Sequence, residues 1–167
     1  MKRVLAFGGL GMDSGAGSSR LRRRSIATSS GCLEASRRIL AAGKIDYLDM
    51  SLWDVFKEPV EEAFKGRSLM SYFTELPRGN VRLGVAGKIM TAAQARSVLE
   101  AGADFALIGR AAILHHDYPK KVAADPDFAP IALPVTKDHL KAEGLGPAFV
   151  TYMSSWPGFV AKEEANA

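Results

Sequence analysis

The sequence has one cysteine, three histidines and no hydrophobic run of the about 18–20 residues that a membrane-spanning helix requires. A single cysteine, Cys32, excludes an internal disulfide and a cysteine-rich metal cluster. We expect Cys32 to be a small, buried apolar residue. The start of the chain also lacks the apolar stretch and small-residue cleavage site of a secretory signal. We therefore expect a cytoplasmic protein with no membrane partner.

Acidic residues are scarce near the start of the chain, and the excess of positive charge is confined there. Residues 1–40 contain eight basic and two acidic residues, whereas the remaining residues contain fourteen basic and sixteen acidic ones. A nucleic-acid-binding face needs basic residues spread along a folded surface. We therefore expect no nucleic-acid partner. The cluster Arg20–Arg24 fits a solvated basic linker better than a phosphate-binding or organelle-targeting segment, because it lacks an amphipathic pattern.

Composition divides the chain into two regions. Residues 1–32 are rich in Gly, Ser and Arg, and we predict a poorly ordered segment in which only Arg3–Phe7 has the character of a short strand. The glycines within Gly9–Gly15 resemble a dinucleotide-binding loop only weakly, since no helical pattern follows them directly. Residues 33–167 carry regular apolar patterns, and we predict that they form the folded domain.

Short apolar strands alternate with helices from Leu33 onward. The patterns predict, in order, a helix, a strand, a long loop with one or two helical turns, a strand, a helix, a strand and a helix. Their ranges are 33–42, 44–51, 52–80, 81–86, 92–101, 104–108 and 111–115. Near-continuous apolar strands that alternate with helices are typical of parallel βα units. We therefore predict an α/β fold with a parallel sheet.

Two of the predicted strands end in small-residue turns, Ala86-Gly87-Lys88 and Gly109-Arg110. In βα barrels the loops after the last two strands commonly bind a phosphate, with backbone N–H groups and a helix N-terminus facing the anion. Gly87 and Gly109 permit close backbone approach, and Arg110 and Lys88 supply charge-assisted hydrogen bonds. These five residues are the candidate phosphate-binding residues.

The same segments carry a family resemblance. Leu83–Thr91 and Ala101–Arg110 resemble the seventh and eighth βα units of the Old Yellow Enzyme family of NADH:flavin oxidoreductases, and Ile45–Ser51 resembles the strand of the sixth. The resemblance implies part of a TIM (β/α)8 barrel, roughly its last three to four βα units. It also implies FMN as cofactor. The residues that would bind the FMN phosphate are Ala86, Gly87, Lys88, Gly109 and Arg110.

The resemblance implies an FMN-dependent NAD(P)H oxidoreductase that reduces a small activated alkene or a related substrate. The family's His-x-x-His or His-x-x-Asn substrate element is missing from this sequence. We therefore predict no catalytic residue, interpret the chain as a truncated C-terminal half, and leave its own activity open. The alternatives are a non-catalytic barrel fragment and a phosphate-binding half-barrel closed by a partner chain or, less favoured, by a second copy. An isomerase-type or aldolase-type phosphate-binding barrel is a third reading.

Several polar residues invite a catalytic or metal-binding interpretation. His115, His116 and Asp117 are consecutive, and consecutive side chains on a helix point in different directions, so we predict no metal site. Three aspartates lie in or just after the strand predicted at residues 44–51, namely Asp46, Asp49 and Asp54. No partner is evident for them in the sequence, so we expect capping or solvated roles rather than acid–base catalysis.

Aromatic residues cluster in the long loop and in the tail. Trp53 and Phe56 follow a predicted strand, where they would either line a substrate mouth or, as we favour, pack beneath the loop. The tail Pro147–Val160 is rich in aromatic and turn-forming residues. We expect it to cover the outside of the barrel or to contact a neighbouring subunit.

Overall fold

Four short strands form one parallel sheet whose order follows the chain, β1-β2-β3-β4. The computed structural model describes the backbone of Val4–Leu10 and residues 29–162. The strands are β1 Val4–Leu10, β2 Tyr47–Leu52, β3 Arg82–Ala86 and β4 Phe105–Leu107. The predicted α/β fold with a parallel sheet is confirmed.

Seven α-helices and one 3-10 turn are present among the described residues. The helices are α1 Ser29–Ala41, α2 Leu69–Thr74, α3 Ala92–Glu100, α4 Arg110–Leu114, α5 Tyr118–Ala124, α6 Lys137–Ala142 and α7 Pro147–Ser154, and the 3-10 turn is Glu62–Phe64. Helices α1, α2 and α3 connect consecutive strands of the sheet. None of the helices that the structure describes is long and apolar enough to cross a bilayer.

The N-terminal boundary differs from the one that composition predicts. β1 lies within the segment assigned to residues 1–32, and it pairs with β2 from Val4 to Leu10. The first turn of α1 also lies there, and Cys32 is buried in it, as expected for a small apolar residue. Gly and Ser content reports local propensity, whereas strand pairing depends on a distant partner. The predictions for residues 11–28, including Arg20–Arg24, lie outside the described residues.

The chain divides into two compact units, and the domain predicted for residues 33–167 stays a prediction. The first unit comprises residues 1–89 and 94–108, and the second comprises residues 90–93 and 109–167. The first unit contains the sheet. The second contains α4 to α7.

Helices cover one face of the sheet in the first unit. Leu48 and Met50 of β2, and Leu83 and Val85 of β3, are fully buried and lie side by side in register. They share a core with apolar side chains of α1, α2 and α3, among them Leu33, Phe73 and Val98. Burying one such side chain contributes about 1.5–3 kcal/mol, so this layer dominates the stability of the unit.

The other face of the sheet carries the alternate residues of the same strands. We call this surface the open sheet face and define it by Tyr47, Asp49, Ser51, Gly84 and Phe105. None of these five belongs to the core that α1, α2 and α3 share with the sheet. The Tyr47 ring lies over Gly84 and meets the Phe105 ring edge-on, with the two ring centroids 5.7 Å apart.

A charged cluster ties the amino ends of β3 and β4 together. Asp104 Oδ2 accepts hydrogen bonds from Arg78 Nη1 at 2.7 Å and from Leu83 N–H at 2.8 Å, and Oδ1 accepts one from Arg82 Nη1 at 2.7 Å. Arg78 Nη2 also donates to the Gly102 carbonyl at 2.9 Å. Partial desolvation raises the pKa of Asp104, but the hydrogen bonds from the Leu83 N–H and the two arginines outweigh it and lower the pKa to about 2.

The second unit has a core of its own. Six buried apolar residues form it: Leu114, Val135, Leu140, Val150, Met153 and Phe159. Val135 pairs with Val160, and Val135 N donates to the Phe159 carbonyl at 3.0 Å. The aromatic tail therefore folds into this core through α7 and the segment after it. Phe149 and Tyr152 stay exposed on α7, and their predicted contact with a neighbouring subunit stays a prediction.

The Asp104 cluster yields a stability prediction. Asp104→Asn removes the negative charge that three donors share, and we expect it to lower the free energy of unfolding by about 2 kcal/mol in urea titrations at pH 7. Because the folded pKa is depressed, this contribution is complete above the unfolded pKa of about 3.9 and is lost as pH falls towards about 2.

The difference in free energy of unfolding between wild type and Asp104→Asn should therefore shrink as the pH falls from about 3.9 towards about 2. Asp138→Asn is the matched control, since Asp138 is an exposed carboxylate bonded to Lys141 at 2.8 Å. We expect no measurable change in it. If Asp104→Asn is as stable as Asp138→Asn at pH 7, the stabilising role assigned to the Asp104 carboxylate is wrong.

Candidate functional site

The turn after β3 holds three of the candidate phosphate residues. Ala86 ends the strand, Gly87 follows with φ 150° and Lys88 with φ 48°. A β-carbon on Gly87 would lie 2.5 Å from the Leu52 carbonyl oxygen and 3.2 Å from the Asp54 nitrogen. The close backbone approach that glycine permits at this position is therefore to the end of β2.

Lys88 lies beside a carboxylate of the same unit. Its Nζ is 3.4 Å from Asp54 Oδ2, and Asp54 Oδ1 accepts the Phe56 N–H at 3.0 Å. Val55 N also donates to the Gly87 carbonyl at 3.3 Å, which joins the turns after β2 and β3. A partly exposed pair of this kind contributes about 0–1 kcal/mol, so an anion with better geometry can replace Asp54 as the partner of Lys88.

Asp54 is the residue that sequence reasoning missed at this turn. We expect a capping or solvated role for Asp54 from the sequence, and it does cap its own turn through the Phe56 N–H. Its pairing with Lys88 joins residues 34 positions apart. An aspartate directly after a strand is a turn signal, but the sequence gives no sign of the second partner.

The Gly109-Arg110 turn belongs to the second unit. Gly109 precedes α4 with φ −101° and ψ −80°, and a β-carbon there would have no neighbour within 4 Å. α4 has only five residues. So few aligned peptide dipoles give the weak field of a short helix, and the charge at this turn comes mainly from Arg110.

Arg110 stacks on an aromatic side chain of the tail. Its guanidinium carbon lies 5.4 Å from the centroid of the Trp156 ring. The Trp156 ring also meets the Phe159 ring edge-on, with the two ring centroids 6.2 Å apart. Cation–π contact orients the planar guanidinium and keeps its charge, and this is compatible with anion binding at its N–H edge.

Two titratable side chains, Tyr47 and Asp49, lie on the open sheet face. Desolvation raises the pKa of Asp49, and desolvation together with the Asp49 charge raises the pKa of Tyr47. Asp49 Oδ1 is buried and has no hydrogen-bond partner among the described residues. A carboxyl group in this setting holds a proton more readily than one in water.

Asp46, Trp53 and Phe56, which the sequence analysis also named, lie at opposite ends of β2. Asp46 precedes β2 at its amino end, where its carbonyl accepts the Arg82 N–H at 3.2 Å. Trp53 and Phe56 follow the carboxyl end of β2 and are 45% and 47% exposed. The favoured interpretation, that both pack beneath the loop, is therefore wrong, because the loop core is filled by Val55, which is fully buried.

A cleft of about 570 Å³ opens beside α1 and α2. Its lining includes Leu33, Glu34 and Arg37 of α1 and Tyr72 of α2. None of the five candidate phosphate residues lines it. The cleft mixes charges of both signs, so it does not favour an anion, and we give more weight to the turns that follow the strands.

The fold and these turns define an α/β protein with a parallel sheet and with a cationic residue after each of its last two strands. No family model matches this chain, and no curated protein matches it significantly. Membership of the flavin oxidoreductase family therefore rests on the residues quoted for it, and it is argued below as a proposal.

Gly87 gives a test of the turn geometry. Gly87→Ala places a methyl group against the Leu52 carbonyl, and we expect it to lower the free energy of unfolding by about 2–3 kcal/mol in urea titrations. Gly79→Ala is the matched control, since Gly79 also has a positive φ, 54°, but has open space around its β-carbon. Backbone strain alone should cost about 1 kcal/mol there. Equal losses in the two variants would show that the approach to Leu52 is not tight.

Proposed function

We propose that this chain is the C-terminal, FMN phosphate-binding part of a (β/α)8 barrel of the Old Yellow Enzyme type. The whole enzyme would be a cytoplasmic FMN-dependent NAD(P)H oxidoreductase that acts on a small activated alkene. The sheet of the first unit carries the proposal. Its strand order follows the chain, and α1, α2 and α3 share a core with one face.

That arrangement favours a barrel over a doubly wound sheet. Doubly wound parallel sheets place helices on both faces, whereas a barrel places them only outside and fills its interior with strand side chains. The open sheet face would be the barrel interior. Strand order also favours the barrel, because a doubly wound sheet reverses its order at a switch point and the described sheet does not.

The phosphate end of FMN fits the donor chemistry of both turns. In the second unit, the open space at Gly109 leaves room for a ligand, and Arg110 offers a guanidinium fork suited to phosphate oxygens. In the first unit, Lys88 at the end of β3 offers an ammonium group that is held by Asp54. Binding there requires Lys88 to exchange a carboxylate for a phosphate oxygen. A lysine ammonium also lacks the bidentate fork of an arginine, so we expect Arg110 to contribute more.

FMN, when bound, supplies the hydride chemistry, and the protein supplies binding and orientation. Arg110 in the second unit and Lys88 in the first each offer a cation to the phosphate end. Asp49, whose pKa desolvation raises, would lie on the inner face of the barrel. The substrate-binding histidine element would have to come from another part of the barrel, since this sequence does not contain it.

The open sheet face also supports the second candidate, a half-barrel completed by a partner chain. β4 ends the sheet, and Phe105 on this strand is 47% exposed. An edge strand with an exposed aromatic side chain tends to pair with another strand. A chain that supplies the first half of the barrel would cover both the edge and the face, and FMN binding that appears only with such a partner would favour this candidate.

The phosphate residues can be tested by titrating FMN fluorescence with the purified full chain. We expect quenching in wild type, and Arg110→Ala should weaken binding about tenfold or more, as expected for loss of a charge-assisted hydrogen bond. Lys88→Ala should have a smaller effect, because an ammonium group lacks the two parallel hydrogen bonds that a guanidinium offers to phosphate. Arg96→Ala removes an exposed arginine of α3 and is the matched control.

Stacking on Trp156 makes a folding control necessary for Arg110. Arg110→Lys keeps the cation and loses the fork, so we expect intermediate FMN affinity and a melting temperature close to that of wild type. If Arg110→Ala and Arg96→Ala bind FMN equally well, the assignment of Arg110 to the phosphate is wrong.

A further inference from the structure

All three histidines of the sequence lie in the second unit, and two of them, His115 and His116, lie close to the carboxylate of Glu143. Glu143 follows the end of α6 and reaches the junction between α4 and α5. Its Oε2 accepts the His116 backbone N–H at 2.8 Å and lies 2.7 Å from His116 Nδ1. Its Oε1 lies 3.8 Å from His115 Nδ1. The carboxylate therefore faces two imidazole rings.

His116, Asp117 and Glu143 hold metal-ligand atoms close to one another. One ring nitrogen of His116 and one carboxylate oxygen each of Asp117 and Glu143 lie within 4.8 Å of one another. Ligand atoms bound to zinc at about 2.0–2.2 Å in tetrahedral geometry lie about 3.4 Å apart. His116 is exposed, so its ring has room to rotate towards the two carboxylates.

The Asp117 carboxylate has an unmet requirement for a partner. Its Oδ2 lies 3.5 Å from Lys121 Nζ, whereas its Oδ1 is buried and has no hydrogen-bond partner among the described residues. A buried carboxylate oxygen without a partner costs free energy. A cation shared with Glu143 would remove that cost.

His115 lies beside the carboxylate of Glu143. Its Nε2 accepts the Ile131 N–H at 3.0 Å, which assigns the hydrogen of the neutral ring to Nδ1. His115 Nδ1 lies 3.8 Å from Glu143 Oε1. At this distance the N–H group is a polar neighbour of the carboxylate rather than a hydrogen-bond donor to it, and such neighbours are common around ligating carboxylates.

We propose that His116, Asp117 and Glu143 bind a divalent transition-metal ion. One imidazole nitrogen and two carboxylate oxygens match zinc best, with a fourth position left for water. The ion would join the α4–α5 junction to the end of α6. This inference is independent of flavin binding. The sequence predicts no metal site because His116 and Asp117 are adjacent; Glu143 lies 27 residues further on and supplies the third ligand.

The test is a zinc titration of the untagged full chain, first treated with a chelator and then freed of it, with binding measured by isothermal titration calorimetry. We expect one ion per chain with a dissociation constant of about 1 μM or lower. The absorption of cobalt(II) bound in place of zinc should be that of a four-coordinate nitrogen and oxygen site. Zinc should also raise the melting temperature, because it binds the folded chain.

Two variants remove ligands without removing the local hydrogen bonds. Glu143→Gln keeps an acceptor for the His116 N–H, and Asp117→Asn keeps the shape of the side chain. Each should weaken zinc binding about tenfold or more. Asp138→Asn, which changes a carboxylate of α6 bonded to Lys141, should leave binding unchanged.

Circular dichroism of each variant establishes that it is folded. The proposal is overturned if wild type binds no zinc in the micromolar range. It is also overturned if the folded triple variant with His116→Gln, Asp117→Asn and Glu143→Gln binds zinc as tightly as wild type.

Discussion

The alternation of buried and open positions along β2 and β3 is the constraint on which the first unit depends. Leu48 and Met50 lie beside Leu83 and Val85 in register, and all four are fully buried against the helices. Because side chains alternate with a period of two, a slip of one residue would bring Asp49 into the helical core. The parallel register is therefore strongly specified, and it determines which residues form the open sheet face.

The same register aligns the two ends of the strands. At the amino ends, Asp104 joins three hydrogen-bond donors from the residues that lead into and begin β3. At the carboxyl ends, Gly87 packs against the Leu52 carbonyl, and Lys88 pairs with Asp54. The first cluster fixes the strands, whereas the second holds a cation in an exchangeable pair. This contrast is why the carboxyl ends, and not the amino ends, are the candidate binding site.

Element type and order were predictable from local pattern. Continuous apolar runs around Leu48, Leu83 and Ala106 marked the strands. α5, α6 and α7 escaped prediction because they are short, with seven, six and eight residues. Short helices bury few side chains, so their apolar period is weak.

The contacts that give the sites their character could not be predicted. Arg110 meets Trp156, Lys88 meets Asp54, and His116 meets Glu143, each across a long stretch of sequence. Charge and residue type limit such pairs but do not select them, since many partners along the chain satisfy the same chemistry. Gly87 illustrates the same limit. Its identity suggested room for a ligand, whereas the structure explains it by the approach to Leu52.

The central claim is that this chain recognises the phosphate end of FMN. A parallel titration of the full chain with FMN and with riboflavin, which lacks the phosphate, tests it most directly. We predict that FMN binds at least about tenfold more tightly, and that the difference narrows as salt is added, because charge-assisted contacts are screened. Equal affinity for the two flavins, or no binding of either, would contradict the account.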